Sequence, residues 1–330
     1  MKNRPIFSIS LDFELHWGRF DKVALPDWEN YYLRTRMAIP KILQLFDTFG
    51  VEATWATVGM LFANSLKEWL EYAPISKPSY KDNVFSPYHW LLDNPLAAET
   101  CLFAPDLIQQ ILHTPGQELG SHTFSHYYTL AKGQTEGQFR DDLIAAQRIA
   151  SEKFGVQLTS LVFPRNQFNR RYLHISKEIG FTAVRSNPKD WFWKDTSRET
   201  LLKRIFRTAD VYLPVGMPSS YPLSGLDWQQ DVPLEIPASR FLRPYSGNGA
   251  INRIKARRIK NEMTKAASNA EIYHLWWHPH NHGERPEESL AFLRTILEHF
   301  AQLRIQYGML SCNMASVEKL ARSKSLDPAY

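Results

Sequence analysis

Three separated pieces of the chain carry side chains able to do chemistry. They are Asp12-Phe13-Glu14 near the start, Ser121-His122-Thr123-Phe124-Ser125-His126 in the middle and Trp277-His278-Pro279-His280 late on. Asp12 and Glu14 are two residues apart, so an extended backbone puts both carboxylates on one face and Phe13 on the other. Two acids held together repel, and burying them requires a proton or a cation between them; the alternative is a solvated strand end. His122 and His126 are spaced i and i+4, which predicts two imidazoles on one side of a helical turn. Neutral imidazoles at that spacing suit zinc and related cations, and a carboxylate from Asp12 or Glu14 would complete a shell of two histidines and one acid. Such a shell leaves a position for water and substrate. His274, His278, His280 and His282 are all eligible as a further catalytic histidine, with His282 the weakest choice. Arg165 closes the run Leu161-Val162-Phe163-Pro164 and could pair with Asp12 or simply lie at the surface. The set is sufficient for a hydrolytic metal site with its own base and acid.

Strands must present these groups, and the patterning supplies them. Residues 6–12 read as a buried strand, 32–49 as a helix and 51–58 as a second strand. Residues 105–113 read as a short helix, 118–121 as a strand entering the histidine pair, and 139–154 as a helix closed by Gly155. A strand at 161–163, a helix at 171–178, a strand at 181–184, a helical stretch at 198–209, a basic helix at 252–267, a strand at 271–277, a helix at 287–306 and a last strand at 308–311 follow. Strands alternating with helices predict βα units around a parallel sheet. The polar candidates repeatedly fall at or just past strand ends, where a β/α barrel places its catalytic groups. Residues 67–100 break the rhythm with prolines and aromatics, among them Trp69, Tyr72, Tyr80, Phe85, Tyr88 and Trp90. A stretch of this length predicts a substrate loop. No repeat or composition shift demands a second domain, so residues 1–330 are read as one.

A hydrophobic fraction of 44% is that of a chain with a sizeable core. The net charge of +5 favours anionic partners. With only Cys101 and Cys312, neither a disulfide framework nor a sulfur-rich metal site is available. The basic start Met1-Lys2-Asn3-Arg4 precedes an apolar run that Asp12 interrupts, so it reads as a strand rather than a leader. The expectation is a cytoplasmic protein. Arg253, Lys255, Arg257, Arg258, Lys260 and Lys265 interleave with Ile251, Ile254 and Ile259, which would permit peripheral contact with an anionic membrane at the inner face. No nucleic-acid recognition motif accompanies the charge.

The chain resembles the polysaccharide deacetylase, or NodB-homology, family. The resemblance is carried by Ser10-Leu11-Asp12-Phe13-Glu14, Gly120-Ser121-His122-Thr123-Phe124-Ser125-His126, Phe163-Pro164-Arg165 and Trp277-His278-Pro279. It runs from about residue 5 to about 311. Family members usually carry two adjacent aspartates in the first motif; here Phe13 intervenes and a glutamate stands second. The resemblance implies a distorted (β/α)7 barrel and one divalent metal, most often Zn2+, held by Glu14, His122 and His126. It also implies Asp12 as general base, Arg165 as the residue tuning it and His278 as general acid, although the longer glutamate leaves an exchange of roles between the two acids open. Asp190-Trp191 is the nearest match to the family's aspartate–tryptophan motif. The implied reaction removes an N-acyl group, most often acetyl, from an aminosugar in a glycan or in a nucleotide-linked or lipid-linked precursor. Surface polysaccharide biosynthesis is its natural setting. A deformylase of a lipid-linked aminosugar, a small-amide hydrolase and a non-catalytic sugar-binding barrel are the alternatives.

Overall fold

The alternation of β1 (Ile6–Phe13) organises the molecule. Phe7, Ile9, Leu11 and Phe13 point outward into the main hydrophobic cluster, each such burial contributing roughly 1.5–3 kcal/mol. The other face carries Ile6, Ser8, Ser10 and Asp12, all buried as well. A strand with an apolar outer face and a polar inner one belongs in a barrel wall whose interior holds a site. The computed structural model describes residues 4–188, 193, 200–203 and 219–325.

Eight further strands accompany β1 among the described residues: β2 (Ala53–Thr57), β3 (Gln117–Ser121), β4 (Ser160–Leu161), β5 (Ala183–Ser186), β6 (Leu234–Pro237), β7 (Arg240–Phe241), β8 (Ile272–Trp277) and β9 (Leu310–Ser311). They form one sheet, ordered β6-β5-β4-β3-β2-β1-β8-β7, with β9 on β1. The paired strands are all parallel. β6 pairs with β5 while β7, three residues further on, pairs with β8. One stretch of chain thus touches both edges of the curled sheet and draws it into a distorted barrel. Counting that stretch as a single stave and setting aside the two-residue β9 gives seven, as the resemblance implies.

Helices α1 (Leu25–Phe49), α2 (Leu66–Tyr72), α3 (Pro87–Asp93), α4 (Pro105–His113), α5 (Glu136–Phe154), α6 (Arg170–Glu178), α7 (Gly249–Ser268), α8 (Pro286–Tyr307) and α9 (Met314–Ser325) flank the strands. The start of α5 is set by a capping box, in which Thr135 Oγ1 accepts from Gln138 N and Gln138 Oε1 from Thr135 N. Its end is set by Gly155 at φ 65°, a left-handed cap that costs glycine little. The α9 helix, β6 and β7 were not legible in the sequence. Met314, Val317 and Ala321 of α9 cluster with Ile6, Ala56, Val162, Ile236 and Ile272. That cluster closes the apolar end of the barrel and leaves the Asp12 end for chemistry.

Residues 67–100 hold α2, α3 and two short 3-10 turns rather than one irregular loop. Trp69 is buried, stacked on Tyr88 at 4.9 Å and on Phe124 at 6.2 Å, so its ring braces the histidine segment from behind. Tyr80 is buried also. Phe85 and Trp90 keep part of their surface. The residues 198–209 and the pair Asp190-Trp191 lie wholly or largely outside the described residues.

Candidate active site

The groups that sequence spacing singled out arrive from the C-terminal ends of different strands, as barrel geometry requires. Asp12 lies at the end of β1 and Glu14 just past it; His122 follows β3 and His278 follows β8. Five of the six non-glycine residues with positive φ among those described sit at or beside this site: Leu15, Thr123, His126, Arg165 and Asn166, at 48°, 63°, 53°, 58° and 51°. Strain of this kind, of order 1–3 kcal/mol per residue, persists where surrounding contacts fix it.

His122 and His126 do not share a helical turn. The segment after β3 is irregular, and the left-handed Thr123 and His126 reverse it so that both rings converge. Thr123 Oγ1 accepts from Tyr127 N at 2.7 Å across that turn. Asp142, reaching in from α5, accepts from Phe124 N at 2.7 Å and from Ser125 N at 3.1 Å. The Ser125 hydroxyl donates to it as well, at 2.5 Å. Burial pushes the Asp142 carboxyl up to about 7, although these donors pull the other way. Asp142 therefore holds the loop between the two imidazoles.

The Nε2 atoms of His122 and His126 lie 3.0 and 3.2 Å from Glu14 Oε1. All three residues are buried, and their donor atoms fall within 4.8 Å of one another. His122 Nδ1 lies 2.8 Å from the carbonyl of Val162, its hydrogen-bond partner. A neutral His122 donating there has no proton on Nε2, so a lone pair faces the glutamate oxygen. That contact is repulsive unless a cation or an extra proton lies between. Burial holds His126 below its ordinary pKa, keeping that ring neutral. Glu14 is held well below the usual carboxylate range: burial opposes this, but His278 and the close rings of His122 and His126 outweigh it. A divalent cation fits these donors. Four-coordinate zinc, with bonds of roughly 2.0–2.1 Å, keeps ligand atoms about 3.3 Å apart.

Gly18 closes the site behind Glu14. A Cβ at that position would lie 1.8 Å from Glu14 Oε2 and 2.4 Å from Cδ.

Asp12 is not paired with Arg165. The guanidinium of Arg165 binds Asp21 and lies 4.1 Å over the Tyr128 ring, because the left-handed backbone at residues 165–166 turns it away from the barrel axis. Arg185, from β5, takes the place expected of it. Its Nη1 and Nη2 donate to the two Asp12 oxygens at 2.6 and 2.7 Å, and it also donates to Ser10 Oγ at 3.1 Å and Asn166 Oδ1 at 2.9 Å. Burial alone would push the Asp12 carboxyl up, but Arg185, with the rings of His122 and His278, holds it below its ordinary value. The signal was present in Val184-Arg185-Ser186: an arginine inside a short buried strand requires an acid facing it.

Of the late histidines, His278 is the accessible one, with 24% of its side chain exposed against 7% for His280. Its Nε2 lies 3.7 Å from Asp12 Oδ2 and 3.8 Å from Glu14 Oε2. His280 stacks on it at 4.9 Å and is held down to about 3 by burial and by His278. His274 is committed elsewhere, between Ser10 Oγ at 2.9 Å and the Pro237 carbonyl at 3.2 Å. His282 is buried, its ring 6.4 Å from that of Trp277.

The basic helix α7 shows less charge to solvent than its composition suggests. Lys255 donates to the Pro244 carbonyl at 2.9 Å and Arg258 to Glu262 at 2.6 Å, while Arg253 and Arg257 are exposed. Among the described residues no helix is long and apolar enough to cross a membrane.

Residues 21–184 match the family model for polysaccharide deacetylase. The match holds the histidine segment and Arg165 but neither the first acid pair nor His278. No curated protein matches the chain by sequence. Among solved structures, a Mycobacterium smegmatis protein assigned to the polysaccharide deacetylases superposes with a TM-score of 0.61 at 14% identity, covering 99% of this chain and 93% of its own. A Pseudomonas aeruginosa PAO1 protein assigned to the same group gives 0.58 at 14% identity, with coverages of 98% and 92%. The Puue allantoinase gives 0.57 at 14% identity, with coverages of 100% and 93%.

Proposed function

The chain belongs to the polysaccharide deacetylase family, and from that premise we propose how its residues divide the hydrolysis of an N-acyl aminosugar. It is a metal-dependent hydrolase of that type. The observation that carries the reading is the convergence of Glu14 Oε1 with the Nε2 atoms of His122 and His126 at 3.0 and 3.2 Å, in a setting where His122 is already committed to Val162. These three residues would hold the cation, zinc by the chemistry of the donor set. When bound, the cation supplies Lewis acidity toward the acyl carbonyl and toward water.

Asp12 is the base. Its ionised form, held by Arg185, takes a proton from the attacking water. Arg185 also fixes both Asp12 oxygens in direction, and Ser10 and Asn166 fix Arg185 in turn. His278, partly exposed, delivers a proton to the departing nitrogen, which stays on the sugar. The fold alone does not choose the amide, since an allantoinase shares it. An aminosugar is favoured here by aromatic rings beside His278: Trp276 at 5.6 Å and Phe241 at 5.7 Å. We assign the acyl group as acetyl, the substrate as a nucleotide-linked or lipid-linked aminosugar, and Lys81 to Phe85 as the part of the 67–100 segment that borders the cleft. A cytoplasmic setting accords with two buried, unpaired cysteines.

The test is metal analysis of the purified protein, followed by incubation of the zinc-loaded form with acetylated and formylated aminosugars read by mass spectrometry. Loss of an acetyl group from a sugar amide is the expected result. Hydrolysis confined to small cyclic amides overturns the sugar assignment.

A further inference from the structure

His274, Trp276 and His278 stand at alternate positions along and just past β8, which sets them on one face of the strand. His278 serves as the acid, and the Trp276 ring lies 4.1 Å from the Arg185 guanidinium. His274 is fully buried, so any part it takes in the reaction runs through another residue. We propose that His274 is a positioning residue for the base: it orients the Ser10 hydroxyl, which in turn fixes the Arg185 guanidinium on Asp12. This rests on the reading of Asp12 as the base of an amide hydrolase.

Chemistry fixes the direction of each hydrogen bond in the chain of contacts. His274 Nδ1 lies 3.2 Å from the Pro237 carbonyl, which can only accept, so the ring proton sits on Nδ1. Burial, and after it the charge of Arg185, hold the ring down to about 3 and so neutral. Its Nε2 is therefore a bare acceptor, and Ser10 Oγ, 2.9 Å away, spends its one proton there. Only lone pairs remain on Ser10 to face Arg185 Nη1 at 3.1 Å, and a guanidinium has nothing but donors to offer. Donation thus runs one way, from Arg185 to Ser10 to His274 to Pro237, each bond polarising the next.

Arg185 needs that flank. Its Nη1 and Nη2 reach the two Asp12 oxygens at 2.6 and 2.7 Å, but its Nε makes no hydrogen bond among the described residues. A fork held only at its tip can rock in its own plane. Ser10 stops it on the Nη1 side, Asn166 stops it on the Nη2 side at 2.9 Å, and Trp276 closes one face. Without an acceptor at position 274, the Ser10 hydroxyl can turn its proton toward the guanidinium and repel it. The Asp12 carboxylate then loses its fixed direction toward the water it deprotonates.

The test compares His274→Phe, His274→Gln and Ser10→Ala in the zinc-loaded full chain, with kcat, KM, metal content and urea unfolding measured for each. The phenyl ring fills the space of the imidazole and strands no carbonyl, since Pro237 also accepts from the Tyr221 hydroxyl at 2.6 Å. His274→Phe and Ser10→Ala should each lower kcat about fivefold to twentyfold, with KM and metal content unchanged. His274→Gln, whose amide oxygen can take the Ser10 proton, should recover most of that loss. Placed on Arg185→Met, His274→Phe should change kcat by less than about twofold, because its effect passes through the missing guanidinium. A ring that served only the core would cost stability in both backgrounds and show no such dependence. Wild-type kcat in His274→Phe, no recovery in His274→Gln, or an equal loss with and without Arg185 overturns the proposal. Nitrogen NMR of the histidine-labelled wild type decides the case even where a variant fails to fold: His274 must carry its proton on Nδ1, and a proton on Nε2 overturns the relay. Failure of the hydrolase reading shows separately. Coupling of His274→Phe with Arg185→Met in urea unfolding, without acyl release from any substrate, keeps the hold on Arg185 and sinks the hydrolase reading alone.

Discussion

Arg185→Met is the perturbation that most directly separates the site found here from the one spacing suggests. Methionine keeps the length of the side chain and removes the guanidinium. Four hydrogen bonds go with it, two of them to Asp12, which is 3% exposed. Removing one partner of a buried ion pair typically costs roughly 3–5 kcal/mol, because the remaining charge keeps its desolvation penalty. The metal donors Glu14, His122 and His126 make no hydrogen bond to Arg185, so metal content should stay near the wild-type level. The rate should fall by about 10²-fold or more, since the base loses both its orientation and the charge that keeps it ionised. Arg165→Met should behave differently. That side chain is 30% exposed and serves Asp21, whose own side chain is 5% exposed, so its loss should cost stability, on the order of 1–3 kcal/mol, and leave the rate near the wild-type level. Urea unfolding, plasma-emission metal analysis and kcat, measured on both variants and on Asp12→Asn, give the comparison. In Asp12→Asn/Arg185→Met the two losses should couple, because the double change leaves no charge stranded. The reasoning is refuted if Arg165→Met loses as much rate as Arg185→Met, or if the two single changes add without coupling.

Gly18→Ala should bind metal much more weakly while staying folded, because its Cβ would stand 1.8 Å from Glu14 Oε2 and must displace that carboxylate; full zinc occupancy would show that the carboxylate is not needed where it stands. His278→Ala and Asp12→Asn should keep near-stoichiometric metal and lose roughly 10²–10⁴-fold in kcat, whereas His122→Ala should lose metal as well; a fully active His278→Ala would move the acid to another group, His280 first. Asp142 has its pKa raised by burial from 3.8 to about 7, so the stability it contributes is present at low pH and declines as pH rises through 7. The unfolding midpoint of the wild type, relative to Asp142→Asn, should therefore fall between pH 5.5 and 8, and a difference that stays level or rises would refute the assignment. Trp69→Ala should lose roughly 3–5 kcal/mol of stability as a core truncation, and Phe85→Ala should raise KM with little change in the unfolding midpoint; the reverse pattern would make Phe85 the structural ring.

The sequence by itself determined which residue types meet. The two-residue spacing of Asp12 and Glu14 is a property of any extended strand, and the strand needs only its own apolar alternation to form. The order of most strands and helices followed from local period, α2, α3, α9, β6 and β7 excepted, and with it the barrel end that carries the polar groups. What local pattern could not supply was any contact closed by a distant segment. His122 and His126 suggest a helical turn when read alone; they converge instead because Thr123 and His126 take left-handed backbone angles that Asp142, from the following helix, holds in place. Arg165 follows a short strand and Arg185 lies within one; a buried-strand arginine asks for an acid, but its local stretch does not say that the acid is Asp12. Barrel register decides it, placing β5 across the interior from β1 while the strained turn at residue 165 sends the other arginine to Asp21. The choice among the late histidines was likewise made by packing: His274 is consumed by Ser10 and Pro237, His280 is buried, and His278 keeps access to the cleft. Side-chain type and spacing are written along the chain, but accessibility and pairing across the barrel are properties of its closure.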